Sequence, residues 1–243
     1  MKSYVGAVAI ALAIVITGWQ LANAFKYKFT STETIAVTGL AEKDFTSDLI
    51  VWQGRFTRAG FDLKQAYAVI KEDEATIRAY LKAKGLPDSS IVFSSIDVQK
   101  TYENKYDNEG RVTGSVFNGY ALNGMVKVHS SDINLVERIS REVTELLQKG
   151  IEFNSQSPAY YYTKLNELKI DLLAKASADA KLRAETIAEN SGTGLGALKK
   201  ATMGVFQITG KNDNEEFSYG GSFNTSSKEK TASITMRVEY LSN

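Results

Sequence analysis

The residue types that most often carry chemistry are sparse in this chain. Cysteine is absent, which removes disulfides, thiolate nucleophiles and every cysteine-based zinc or iron–sulfur site. The single histidine, His129, stands in Val128-His129-Ser130-Ser131, a base beside hydroxyls. Adjacency along a chain is not triad geometry, and no motif sets a nucleophile on a strained turn, so His129 reads as a surface or capping residue. The acidic run Glu72-Asp73-Glu74 falls inside a helical pattern, where successive side chains diverge and cannot converge on one ion. It reads as a solvated helix face. Gly192-Thr193-Gly194-Leu195-Gly196 looks like a phosphate loop, yet it follows a helix instead of opening one, which makes it a helix cap and a turn. Tyr160-Tyr161-Tyr162 could stack on a sugar or a base, but in a strand the outer two share a face and the middle one opposes them, as ordinary sheet packing requires. No catalytic, metal-binding or cofactor-binding residue is assigned, and no cofactor is expected.

Two other chemistries need neither cysteine nor histidine. A hydrolase working with carboxylates alone would use Asp97 and Glu103, both on a strand with an exposed side. A small apolar or peptide ligand could sit between sheet and helices, with Trp52 and Tyr120 at the mouth.

The elements that would position these residues follow from composition and periodicity. In 243 residues, 43% hydrophobic and 23% charged, with 18 Gly and only 2 Pro, the chain has the make-up of a globular protein with a sizeable core. Lys and Arg number 29 against 28 Asp and Glu, a net charge of +1, which gives no basic excess for nucleic acid. Ile35 to Thr38 and Asp48 to Ala59 read as strands, the second placing Ile50, Trp52 and Phe56 on one face. A helix follows, capped by Asp62 with Gln65 three residues on, its apolar stripe Leu63, Ala66, Tyr67, Ile70, Ile77 and Leu81, interrupted by Glu74 and ended by Gly85 and Pro87. Val92 to Tyr102 reads as a strand, and beyond the turn Asp107 to Gly110 a second alternates Val116, Asn118, Tyr120, Leu122, Val126 and Val128. A joining helix spans about 131–149 with a Ser130 or Ser131 cap, ended by Gly150. Then come a strand from Phe153 to Tyr162, a helix from Lys164 to Ser191, a strand from Thr202 to Thr209 and a strand from Ala232 to Leu241. The expected fold is α+β: two βαββ units, halves about 30–129 and 150–243, with largely antiparallel sheet covered by helices. The polar tract Lys211 to Lys230 is long for a hairpin and reads as mobile or as a contact surface.

Residues 1–29 form a separate N-terminal segment, hydrophobic and helical. The run from Ser3 to Phe25 carries no charge, and at about 1.5 Å per residue it would extend roughly 35 Å. Its apolar side chains include Val5, Ile10, Leu12, Ile14, Val15 and Ile16, with Trp19 as an interfacial aromatic. Ala22 and Ala24 supply the small residues a leader peptidase requires. A cleaved signal peptide and a retained signal-anchor both follow, and either sends 30–243 to the periplasm or envelope. Further on, Ala176, Ala180, Ala184 and Ala188 recur every fourth residue, a ridge with almost no bulk against which another surface must pack closely. That surface is the chain's own sheet or a neighbouring subunit.

In order along the chain, Ile35-Ala36-Val37-Thr38-Gly39, Phe117-Asn118-Gly119-Tyr120, Gly150-Ile151, Ala180-Lys181-Leu182-Arg183-Ala184-Glu185, Gly192 and Leu195-Gly196 resemble the SIMPL domain family of bacterial periplasmic and envelope proteins. Gly39-Leu40-Ala41-Glu42 and Tyr162-Thr163-Lys164-Leu165-Asn166 look like its membrane-anchored branch. The likeness covers roughly Glu33 to Tyr240. It implies an α+β fold, export, a link to oxidative-stress defence and ring-like homo-oligomers, and it supplies no catalytic residues. The tract 211–230, long and polar, departs from the family's pattern. The expected function is that of a non-enzymatic envelope protein that self-assembles or binds an unidentified protein partner.

Overall fold

In this computed structural model, residues 2–30, 33–214, 216 and 218–243 are described, and within the first helix the side chains of 10–26. Val5 therefore lies outside the described side chains. Along the chain run α1 (Lys2–Thr30), β1 (Thr34–Thr46), β2 (Leu49–Gly60), α2 (Leu63–Ala83), β3 (Ile91–Phe93), β4 (Asp97–Tyr106), β5 (Val112–Ser130), α3 (Ile133–Glu142), β6 (Glu152–Ser155), β7 (Ala159–Tyr161), α4 (Leu165–Asn190), β8 (Leu195–Met203), β9 (Gln207–Gly210) and β10 (Glu229–Ser242).

Two antiparallel sheets divide the strands. One runs β1-β10-β8 with β9 also on β10, and the other runs β3-β5-β2-β6 with β4 on β5 and β7 on β2. A βαββ arrangement does occur twice in space: α2 packs on β2 and β5, and α4 packs on β1 and β10. The chain halves do not correspond to these units, however. The second unit takes its leading strand from the N-terminus, with Thr34 opposite Leu241 and Thr46 opposite Glu229. The segment expected to lead it, Phe153 to Tyr162, splits at Pro158 into β6 and β7, and both pieces pair with β2. Proline has no N–H to donate, so the ladder cannot run through it unbroken.

Each sheet closes its own core. Ile50, Trp52, Phe56, Leu122, Val126 and Val128 meet Ile70, Ile77, Val136 and Ile139, all essentially without solvent contact, while Ile234 and Val238 meet Leu172 and the alanines of α4. Asp62 caps α2, accepting from the Gln65 N–H at 2.9 Å. The buried stripe of α2 differs from the expected one: Leu63 and Tyr67 are exposed, and Ala66, Ile70, Asp73, Ile77, Tyr80 and Leu81 face inward. Asp73 is thus no solvated acid. The cap of α3 is Asp132, not a serine, accepting from the Leu135 N–H at 3.0 Å, and its last turns tighten into a 3-10 helix over Val143–Lys149. Val92 to Tyr102 is two strands with a step between them, and Thr202 to Thr209 is also interrupted, at Gly204 to Phe206.

The tract 211–230 is built around two amides. Gln207 accepts from the Ser222 N–H at 2.9 Å and donates to the Ser218 carbonyl at 2.8 Å, and Asn224 accepts from the Ser227 N–H at 2.8 Å. Gly192 adopts φ 71° directly after α4, and the Thr193 N–H reaches back to the Ala188 carbonyl at 3.0 Å, the helix cap expected there.

Candidate functional site: an exposed aromatic arm

β4 and β5 continue as a two-stranded arm beyond Gly60, the last residue of β2 to pair with β5. The turn at the tip is set by Asp107, whose Oδ1 accepts from the Glu109 and Arg111 N–H groups, both at 2.9 Å, and by Gly110 at φ 77°. At the base, Lys100 faces Tyr120 but Tyr102 faces Phe117, so β5 carries one residue more than β4 there. Gly119 absorbs it at φ 101°, with its backbone so close to Gly60 that a Cβ would stand 2.9 Å from that carbonyl oxygen. The extra residue reverses which side chains face which way. Phe117, rather than Val116 or Asn118, therefore continues the face begun by Tyr120 and Leu122, and the simple alternation expected across this strand breaks at the bulge.

The result is an aromatic cluster outside the core. Phe117 meets Tyr120, Tyr102 and Phe61 edge-on, with ring centroids 5.2, 6.0 and 6.4 Å apart. Phe61 is 70% exposed, Tyr102 58% and Phe117 39%, and Tyr106 and Val112 near the tip are exposed as well. Edge-to-face pairs are worth about 0.5–1.5 kcal/mol each, so the rings favour this arrangement before anything touches them. Contiguous exposed apolar surface of this kind marks an interaction site more often than a lone exposed leucine does. Among the described residues the outer edge of β4 pairs with no other strand, and Lys100, Glu103 and Lys105 along it discourage indiscriminate edge pairing.

Of the residues singled out from sequence, Glu103 and Tyr120 belong to the arm and the others fall elsewhere. Asp97 and Glu103 lie six residues apart on β4, on the order of 20 Å along an extended strand, far beyond the roughly 5–9.5 Å between paired glycosidase carboxylates. Trp52 lines no mouth; it is fully buried, its indole N–H donating to Ser155 Oγ at 3.0 Å. Tyr120 is half-buried at the root of the arm. His129 is exposed on β5, on the face away from the helices. Tyr160 turns inward and donates to Glu137 Oε1 at 2.9 Å; burial first, then that carboxylate, pushes its hydroxyl up to about 12. Tyr162 packs on Phe45, ring centroids 4.9 Å apart. Among the described residues no group of three or more His, Asp or Glu could hold a metal ion.

Ala176, Ala180 and Ala184 are fully buried and Ala188 nearly so, in contact with β1 and β10. The surface that approaches the ridge is therefore the chain's own sheet. On α1, Ile10, Leu12, Ile14, Val15, Ile16 and Trp19 are exposed, as are Ala22 and Ala24. Among the described residues no helix is long and apolar enough to cross a membrane.

Phe61 carries no signal in the sequence, and Phe117 enters there only as part of the motif Phe117-Asn118-Gly119-Tyr120. No local spacing marks Phe61, Tyr102, Phe117 and Tyr120 as neighbours, because only the bulge puts Phe117 on the face shared by Tyr102 and Tyr120. Compared with known families, residues 35–240 match the one described as SIMPL, protein of unknown function (DUF541). No curated protein matches the chain.

Proposed function

Because the chain belongs to the SIMPL family, we propose that it is a non-enzymatic envelope protein whose aromatic arm binds another protein surface, a second copy of itself or a separate partner. The observation that carries this reading is the cluster of Phe61, Tyr102 and Phe117, ordered by ring contacts and left open to solvent. Export rests on the uncharged run from Ser3 to Phe25, flanked by Lys2, Lys26 and Lys28, acting as signal peptide or signal-anchor. Exposed apolar side chains on α1 suit a segment that is removed or that meets lipid. Protection against oxidative stress, which the family resemblance implies, would in a chain without cysteine act through assembly or binding rather than thiol chemistry.

The test uses the full chain purified from native membranes, its mass in solution measured by light scattering and its mature N-terminus by mass spectrometry. The expected result is a complex, which Phe61→Ser with Tyr102→Ser weakens at least about tenfold, as loss of central aromatic anchors does. Both side chains are more than half exposed, so the melting temperature should move by no more than about 4 °C. A strict monomer at high concentration, with no partner captured by crosslinking, refutes the reading.

A further inference from the structure

The sheet face turned away from α2 and α3 carries a polar cleft. β3 and β4 both pair with β5, but not in one register. Val92 faces Lys127 and the Ser94 N–H reaches the Met125 carbonyl at 2.9 Å, whereas Asp97 faces Asn123. Three steps on one strand therefore pass two on the other, and Ser94 and Ser95 form a ledge over β5. Bulges of this kind re-aim side chains and recur beside binding sites. Beneath the ledge lies a cleft of about 340 Å³, its wall completed by Arg55 from β2.

The charges in the cleft are what suggest a ligand. Arg55 faces Met125, Asp97 faces Asn123, and Met125 and Asn123 lie two apart on β5, so all four side chains share the outer face. Arg55 and Asp97 flank β5 on opposite sides, their Cα atoms on the order of 10–12 Å apart at ordinary strand spacings. They do not pair with each other. The Arg55 guanidinium has no hydrogen bond or ion pair among the described residues, and the Asp97 carboxylate accepts from the Gln99 amide at 2.8 Å through Oδ2 alone. A guanidinium presents a planar fork suited to a carboxylate, and the free carboxylate oxygen suits an ammonium. Asn123 on β5 lies between them, and Ser94 and Ser95 line the same cleft on the Asp97 side.

The geometry points to a binding site for a small zwitterion, an α-amino acid or a short peptide, with its carboxylate on Arg55 and its ammonium on Asp97. This site lies on the opposite face of the sheet from the aromatic cluster and does not depend on it. The probes are L-alanine and the dipeptide Ala-Ala, each with its N-acetylated and its C-amidated derivative, titrated into the full chain by calorimetry. Saturable binding with Kd below about 1 mM is expected for at least one unblocked probe. Blocking either end should weaken it at least about tenfold, the effect of losing one charged hydrogen bond. Arg55→Gln should lose discrimination against the amide and Asp97→Asn discrimination against the acetylated form. In the parent chain, the backbone amide resonances of Ser95 and Asn123 should shift on titration, a readout that needs no variant to fold. Equal binding of blocked and unblocked probes, no saturable binding, or shifts confined to other residues would overturn the assignment.

Discussion

Gly39 lies so close to Ala176 that a Cβ placed on it would stand 2.3 Å from the Ala176 carbonyl oxygen and 2.4 Å from the Ala180 amide nitrogen. Glycine on the strand and alanine on the helix thus solve one problem from both sides, letting α4 rest its backbone on β1. No side chain can swing away to make room, because the clashing atoms are main chain and the Cβ of Ala180, which has no rotamer to change. Gly39→Ala should therefore destabilise the fold by about 3 kcal/mol or more, at the upper end of overpacking effects. Gly114→Ala is the control, since nothing lies within 4 Å of a Cβ there, and its effect should stay within about 0.5 kcal/mol. Urea unfolding midpoints of the two variants separate a specific clash from a general loss of glycine.

Asp73 sits on the buried stripe of α2, where Arg58 of β2 grips it with two hydrogen bonds, the one from Nη2 to Oδ1 measuring 2.8 Å. The pair replaces an apolar contact between helix and sheet. Removing one partner strands the other, so Asp73→Ala should cost about 3 kcal/mol, somewhat below a fully buried pair because Arg58 keeps 28% of its side-chain surface exposed. Arg58→Met with Asp73→Leu should recover most of that loss, which thermal unfolding of the single and double variants would measure.

The contrast between Asp62 and Asp73 shows what the chain reveals locally. The helix cap at Asp62, the strand bearing Trp52 and Phe56, and the alanine ridge of α4 all have a short-range pattern, and each is where the pattern puts it. Asp73 has none, because a carboxylate inside an apolar stripe is legible only when its arginine, 15 residues earlier on another element, is known to face it. The same limit hides the exchange of β1 into the far sheet, since a strand's alternation states which side is buried but not against which partner. It also hides the arm. Phe117 shares a face with Tyr102 and Tyr120 only because Gly119 adds a residue to β5.

Asp179 links α4 to the free edge of β1, accepting from the Leu40 N–H at 2.9 Å and pairing with Arg183 at 2.8 Å. The Leu40 hydrogen bond first, and the Arg183 guanidinium after it, hold its carboxyl below the usual carboxylate range. A depressed folded-state value means that its contribution is fully present above the unfolded-state value and is lost as pH falls through the folded one. In Asp179→Asn the melting temperature should fall less steeply between about pH 5 and pH 2, while at neutral pH the variant should lie below the parent. Identical slopes in the two proteins would show that this carboxylate adds nothing to acid stability.

Lys230, on β10, is 2% exposed and stands where the two sheets meet. Its ammonium donates to the Tyr160 carbonyl at 3.0 Å and to the Ser227 carbonyl at 2.6 Å, tying the strand beside β2 to the end of the 211–228 loop. Around it the backbone also crosses over, with the Tyr160 N–H on the Thr225 carbonyl at 2.7 Å and the Asp48 N–H on the Tyr161 carbonyl at 3.0 Å. Lys230→Met keeps most of the stem's apolar contact but leaves carbonyl oxygens without their donor, so a loss of about 2–3 kcal/mol is expected. Hydrogen exchange would locate it: the amides of Tyr160, Asn224 and Ser227 should exchange faster, while those of Trp52 and Phe56 deep in the other sheet change only with global stability. Uniform acceleration across both cores would mean that Lys230 supports the whole fold rather than the junction.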